Sequence, residues 1–241
     1  MSSFADLTDK IVLVTGAGGG LGAAHARAIA AQGGTVIATD LALPAVAAEL
    51  GSDHLGFAHD VTDRSAWESI VEQVVARYGR IDGLVNNAGL CQYAPFEETT
   101  PAFVEKLVAV NMYGALHGMQ VAVPHMPPGG SIVNIASVAG LGGWPNSTGY
   151  CISKFAIRGL THAAAAELGK DGIRVNTVCP GAADTAMLSE EARAGGGTVA
   201  SLPIARAGRP EEISAMVVFL LSDAASYCTG QDYVVDGGMK A

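Results

Sequence analysis

Lys10-Ile11-Val12-Leu13-Val14-Thr15-Gly16-Ala17-Gly18-Gly19-Gly20-Leu21-Gly22 decides the fold. Its first six residues form a continuous, largely β-branched run, the pattern of a strand covered on both faces. Five glycines occupy the next seven positions. An alanine-rich helical stretch follows from Ala23 to Gln32, and Gly33-Gly34 ends it. Thr35 to Asp40 reads as the next strand, closed by an acid. Strand, glycine turn, helix and strand, with a carboxylate about 20 residues past the turn, is the layout of a dinucleotide site. A plain turn does not need so many glycines, because each adds chain entropy that folding must remove. Glycine lets the backbone approach a pyrophosphate, and the helix N-terminus supplies N–H donors. Asp40 reads in two ways. It is a solvated strand-end acid, or it accepts the ribose hydroxyls of an adenosine and repels a 2′-phosphate, favouring NAD over NADP.

The rest of the chain repeats the alternation. Leu55 to His59, Ile81 to Val85, Ser131 to Ala136, Ile173 to Val178 and Asp232 to Val235 read as strands. Asp63 to Gly79, Thr99 to about His125, Gly149 to Gly169 and Pro210 to Ser222 read as helices, and Ala182 to Arg206 as irregular. No linker or repeat divides residues 1–241, which predicts one α/β domain with a doubly wound, parallel sheet. Ligands bind such sheets beyond the C-terminal ends of the strands. Gly16, Asp40, Asp60, Asn86, Ser137 and Pro180 all fall there.

Hydrophobic residues make up 49% of the chain and charged ones 15%, which predicts a folded domain with some apolar surface left for other subunits. The net charge of −9 argues against nucleic acid and anionic membrane as partners. The first ten residues lack the pattern of a signal peptide, and no apolar run reaches the roughly 18 residues of a membrane span. The four cysteines are scattered, as in a reduced, cytoplasmic protein, and the six histidines form no metal motif.

Tyr150-Cys151-Ile152-Ser153-Lys154 places a phenol and an ammonium one helical turn apart. A nearby ammonium favours the phenolate and lowers its pKa, fitting a tyrosine for general acid/base work. Taken alone, the pair is an ordinary amphipathic helix. Taken with Thr15-Gly16-x-x-x-Gly20-x-Gly22, Asp60-Val61, Asn86-Asn87-Ala88-Gly89, Asn111, Ser137, Pro180-Gly181 with Thr185, and Val235-Asp236-Gly237-Gly238, it resembles the short-chain dehydrogenase/reductase family over essentially the whole length. Within that family the chain looks most like bacterial NAD-dependent hydroxysteroid dehydrogenases of the 3α/20β type, through Gly130 to Ile135 and Ile173 to Asn176.

The resemblance implies roles. Tyr150 is the general acid/base, and Lys154 holds the nicotinamide ribose and depresses the Tyr150 pKa. Ser137 bonds the substrate oxygen, and Asn111 holds a water in a proton relay to Lys154. Gly16, Gly19, Gly20, Leu21 and Gly22 face the cofactor, with Asp60 and Val61 at the adenine. Asn87, Ala88 and Gly89 line it, and Pro180, Gly181, Ala183 and Thr185 close over the nicotinamide. Ala183 replaces the family's usual valine or isoleucine, and Leu21 its commoner isoleucine. Gln92, Tyr93, Trp144 and Met187 flank these positions and suggest a largely apolar substrate pocket. Cys151, beside Tyr150, is expected to face away as an inert thiol.

The expected activity is NAD-dependent interconversion of an apolar secondary alcohol and its ketone, cyclic or steroid-like substrates among them, by a homotetramer. A 3-oxoacyl-carrier-protein reductase is the alternative. Such reductases resemble this chain but carry arginines just before the fifth and sixth strands, where this chain has Pro127-Pro128-Gly129-Gly130 and Lys170-Asp171-Gly172. A non-catalytic NAD-binding regulator is a third reading, opposed by the intact set Asn111, Ser137, Tyr150 and Lys154.

Overall fold

The computed structural model describes residues 4–241. Its chain order is β1 (Ile11–Thr15), α1 (Gly20–Ala31), β2 (Thr35–Asp40), α2 (Ala45–Leu50), β3 (Leu55–Ala58), α3 (Arg64–Tyr78) and β4 (Gly83–Asn86), then α4 (Pro101–Val108), α5 (Gly114–Ala122), β5 (Ser131–Ile135), α6 (Thr148–Leu168), β6 (Arg174–Pro180), α7 (Glu190–Arg193), α8 (Pro210–Leu221) and β7 (Asp232–Val235). The strands form one sheet in the order β3-β2-β1-β4-β5-β6-β7, and every described pairing is parallel. The predicted doubly wound α/β fold is the observed one.

The uninterrupted apolar character of the strands has a direct cause. Side chains alternate across a strand, and here both faces are covered. Val12, Val14, Val36, Ala38, Val133 and Ile135 join the core beneath α1 and α8. Ile11, Leu13, Ile37, Leu84 and Ile132 join the opposite core with Trp67 of α3 and Met119 of α5. Asp63 caps α3, accepting from the amides of Ser65 at 2.8 Å and Ala66 at 3.3 Å. Gly79 ends that helix in the left-handed conformation that glycine adopts freely.

Three expectations change in detail. The stretch read as one helix from Thr99 to His125 starts at Pro101, and its regular hydrogen bonding breaks at Ala109–Tyr113, a π-type turn centred on Asn111. Ala182 to Arg206 is not wholly irregular, since it contains α7 and a 3-10 turn at Gly197–Ser201. The short helix α2, starting just after Pro44, was not anticipated.

Two glycine-to-alanine changes should act with opposite signs. A Cβ on Gly118 would lie 2.6 Å from the ring of Trp67, which is fully buried and anchored through its Nε1–H to the Val61 carbonyl. Alanine gains up to about 1 kcal/mol in helix propensity. Overpacking against a fixed ring costs roughly 1–3 kcal/mol. Gly118→Ala should therefore lower the denaturant midpoint. Gly159 is an exposed position of α6 with no atom within 4 Å of its would-be Cβ, so Gly159→Ala should raise the midpoint. Equal shifts of one sign would refute this account.

Candidate active site

The sheet order reverses direction at β1, which lies between β2 and β4. A crevice opens at such a point because the connections leave on opposite sides. Thr15 and Asn87 build its floor. The Thr15 hydroxyl accepts from the amides of Asn87 and Ala88, each at 3.0 Å. The Asn87 side chain donates to the carbonyls of Thr15 at 2.9 Å and Gly16 at 3.2 Å. The backbones come so close that a Cβ on Gly16 would stand 2.8 Å from Ala88 Cα, and Gly16 also has a φ of +66°. A Cβ on Gly22 would stand 2.0 Å from the Gly16 carbonyl oxygen, so only glycine fits where α1 crosses the turn. No side chain caps the start of α1, which leaves its first amides for an anion.

Asp40 closes β2 at the crevice edge. Its Oδ2 accepts from the Gly18 amide at 2.8 Å and its Oδ1 from the Leu41 amide at 2.7 Å. These bonds fix the carboxylate against the glycine turn, and no lysine or arginine pairs with it among the described residues.

The crevice continues into a cavity of about 940 Å³. Gly16, Gly19, Gly20, Leu21, Gly22, Asp40, Asp60, Val61, Asn87, Ala88 and Gly89 line one end. Ser137, Tyr150, Lys154, Pro180, Gly181, Ala183, Thr185, Tyr93, Trp144 and Met187 line the rest. Gln92 does not line it, although Leu90, Cys91 and Tyr93 do. Asn111 does not line it either. Its Oδ1 accepts from the Leu90 amide at 2.7 Å, and its Nδ2 donates to the Leu90 carbonyl at 2.9 Å and to Ser153 Oγ at 2.8 Å. The Asn111 side chain thus clamps the segment after Gly89 onto α6. Cys151 lies off the cavity, with its thiol against the Gly142 carbonyl.

Tyr150 and Lys154 stand one turn apart on α6, and Ser137 faces them from the end of β5. The Lys154 ammonium donates to the Ile135 carbonyl at 2.9 Å and sits 5.7 Å from the centroid of the Tyr150 ring. Lys154 is buried, and the loss of hydration pulls its pKa down to about 8. Burial pushes the Tyr150 hydroxyl well above its usual range, and a hydrogen bond with Ser137 offsets only part of this. Burial is the largest influence on the Tyr150 hydroxyl in this geometry. The ammonium is turned to a backbone carbonyl and lies over the ring.

Several wall residues carry no motif. Val138 and Ala139 follow Ser137, and Met239 follows the last strand. Met239 lies past the C-terminal end of β7, so the strand-end rule that singled out Asp40 and Pro180 covers it too. Among the described residues, no helix is long and apolar enough to cross a membrane.

Residues 16–240 match the family model described as enoyl-(acyl carrier protein) reductase. The chain is 37% identical to trans-4-hydroxycyclohexanecarboxylate dehydrogenase of Sinomonas cyclohexanicum, over 100% of this chain and 97% of that protein. It is 39% identical to 3-alpha-(or 20-beta)-hydroxysteroid dehydrogenase of Mycobacterium tuberculosis, over 98% and 91%. It is equally 39% identical to a 3-oxoacyl-[acyl-carrier-protein] reductase of Thermotoga maritima, over 97% and 98%. A mutant short-chain dehydrogenase/reductase of Serratia marcescens superposes with a TM-score of 0.90 at 33% identity, over 98% of this chain and 99% of that one. With the sheet order, the glycine crevice and Ser137, Tyr150 and Lys154 on one wall, these matches make the chain a member of the short-chain dehydrogenase/reductase family, an oxidoreductase acting on CH–OH groups.

Proposed function

We propose that the protein is an NAD-dependent oxidoreductase that interconverts an apolar secondary alcohol and its ketone, with Tyr150 as general acid/base. The observation that carries this reading is the gathering of Ser137, Tyr150 and Lys154 on the wall of one cavity whose far end is the glycine turn and Asp40. A nicotinamide dinucleotide supplies hydride chemistry when bound. The residues present fit one. The bare backbone at Gly16 and Gly22 and the uncapped start of α1 suit its pyrophosphate, and the anchored Asp40 carboxylate suits the adenosine ribose.

The chain's own groups divide the work. Ser137 holds the substrate oxygen as charge develops there. Tyr150 gives that oxygen a proton in reduction and takes it back in oxidation. Its raised pKa in the free protein suits the donor role, and removing its proton requires a positive neighbour. Lys154 is that neighbour and would hold the nicotinamide ribose. Asn111 supports the site by fixing Leu90 and Ser153, while Ser153 Oγ donates to the Tyr150 carbonyl at 2.8 Å. The walls supplied by Cys91, Tyr93, Trp144, Met187 and Met239 suit an apolar substrate.

The carrier-protein reading has the family model's description in its favour. Carrier proteins are acidic and need a basic docking patch. The approaches to β5 and β6 meet through the Gly129 amide and the Gly172 carbonyl at 2.9 Å, and there Lys170 is balanced by Asp171. We therefore place free ketones ahead of carrier-bound chains, in a cytoplasmic protein. Exposed Tyr113, Ile152 and Phe155 near α5 and on α6, with Tyr227 and Val234 at the other edge, would be covered in a homotetramer.

Four outcomes test these assignments. In NADH absorbance assays, cyclic and aryl ketones should give a higher kcat/KM than an acetoacetyl-carrier thioester. Tyr150→Phe should lower ketone turnover roughly 10²- to 10⁴-fold with NADH binding retained. A thioester optimum supports the carrier reading, and a well-folded, active Phe variant removes Tyr150 from the mechanism. NADH should be strongly preferred to NADPH, and Asp40→Ala should narrow that ratio by roughly tenfold, worth about 1.4 kcal/mol. Equal use of both by the wild type contradicts the role given to Asp40. Sedimentation velocity at micromolar concentration should find a tetramer, and a monomer there rules it out.

A further inference from the structure

Asp60 and Val61 follow β3 and line the cavity at its Asp40 end. They bring a donor and an acceptor side by side. Among the described residues, the Val61 amide donates to no group. Asp60 Oδ1 accepts from the Thr62 amide at 2.9 Å and the Thr62 hydroxyl at 2.8 Å, while Oδ2 accepts from no group among the described residues. Adenine carries the complement, a ring-nitrogen acceptor beside an exocyclic amine donor.

Such a pairing works only while the two groups keep their spacing. Neither Asp60 nor Val61 belongs to a strand or helix, so no ladder of backbone bonds fixes them. A side chain of α3 does. The Val61 carbonyl accepts from the Trp67 Nε1–H at 3.0 Å, and Trp67 is fully buried and does not line the cavity. The carbonyl of Val61 and the amide of Thr62 are opposite ends of one planar peptide unit. Trp67 holds one end, and the other end holds the Asp60 carboxylate. The indole is itself held on two sides. The His59 ring meets it edge-on, with centroids 4.4 Å apart at 90°, and His59 Nδ1 is tied to Thr39 Oγ1 at 3.0 Å. From α5, Gly118 approaches so closely that a Cβ there would stand 2.6 Å from the ring.

We propose that Trp67 is a positioning residue for the adenine of the cofactor, orienting the Asp60 carboxylate and the Val61 amide through the Val61–Thr62 peptide without touching the base. The assignment rests on the dinucleotide reading of the crevice and adds to it a residue that sets the affinity of the adenosine half.

ADP-ribose carries the adenosine half without the nicotinamide, so its binding reports on this wall independently of hydride transfer. In the full-length protein, Trp67→Phe keeps an aromatic ring beside His59 and removes the donor. Its Kd for ADP-ribose, measured by calorimetry, should rise roughly three- to tenfold, the range of one hydrogen bond. KM for NADH should rise alongside, with kcat on a reducible ketone within about twofold of wild type, the split expected when only cofactor binding is weakened. Gly118→Ala presses on the same ring from outside the cavity and should raise the ADP-ribose Kd as well. An unchanged Kd in Trp67→Phe, or in Gly118→Ala where Trp67→Phe does not fold, overturns the proposal and leaves the dinucleotide reading standing. So does a fall in kcat as large as the rise in KM. A wild type that binds neither ADP-ribose nor NADH overturns the dinucleotide reading and the proposal together.

Discussion

The stitch between Thr15 and Asn87 is the contact on which the rest of the site depends. It lies where β1 meets β4, and the sheet has its crevice there because the chain leaves β1 toward one face and β4 toward the other. One threonine hydroxyl satisfies two adjacent amides, and one asparagine side chain satisfies two carbonyls. Strand ends normally leave such groups to water, and leaving them unmet in a crevice would be costly. Here they are satisfied internally, so the backbone can stay bare. A bare backbone is what an anionic cofactor needs to approach the amides of α1, and a side chain at Gly16 or Gly22 would fill that approach.

The end of the cavity at Tyr150 and Lys154 obeys a different constraint, the removal of water from charge. Lys154 keeps an ammonium in the interior with one backbone carbonyl as its partner, and it is correspondingly easy to deprotonate. Tyr150 is correspondingly hard to ionise. For both groups the loss of hydration is the largest influence. Burial dominates because desolvation acts on each charged form separately, whereas mutual attraction depends on where the ammonium points. The π-type turn at Ala109–Tyr113 belongs to the same construction. It interrupts the regular ladder between α4 and α5 and lets Asn111 reach both Leu90 and Ser153. Breaks of this kind are common at functional sites.

The fold was legible in the sequence because its signals are local. Buried strands show as β-branched runs, and Gly16 and Gly22 mark places where a Cβ would collide with neighbouring backbone. Asp40 was legible because it closes a strand. The π-type turn was not, since hydrophobic periodicity runs through Ala109–Tyr113 without a break and the irregularity concerns only hydrogen bonds. The clamp made by Asn111 was hidden for another reason, its partners being 21 and 42 residues away. Gln92 was chosen for its place in the sequence, and it stays off the cavity although both of its chain neighbours line it. The burial of Tyr150 was hidden as well, because burial cannot be read from the motif.

The two ends of the cavity therefore differ in how far kinship reaches. The cofactor end is built from strand ends and backbone, whose geometry the parallel sheet imposes on any sequence that keeps the glycines. Relatives named for a cyclohexane carboxylate, a steroid and a carrier-bound acyl chain match this chain almost equally well, which is what a shared backbone site predicts. The substrate end is built from Val138 to Ser147, Ala182 to Thr198 and the tail at Met239, segments outside the strands and long helices. Nothing in the sheet dictates their side chains. Loops carried on a rigid scaffold can exchange an apolar wall for a charged one without disturbing the crevice. Specificity in this chain must accordingly be argued from residues such as Trp144, Met187 and Met239 themselves, because the features that establish the family are those that any substrate would leave unchanged.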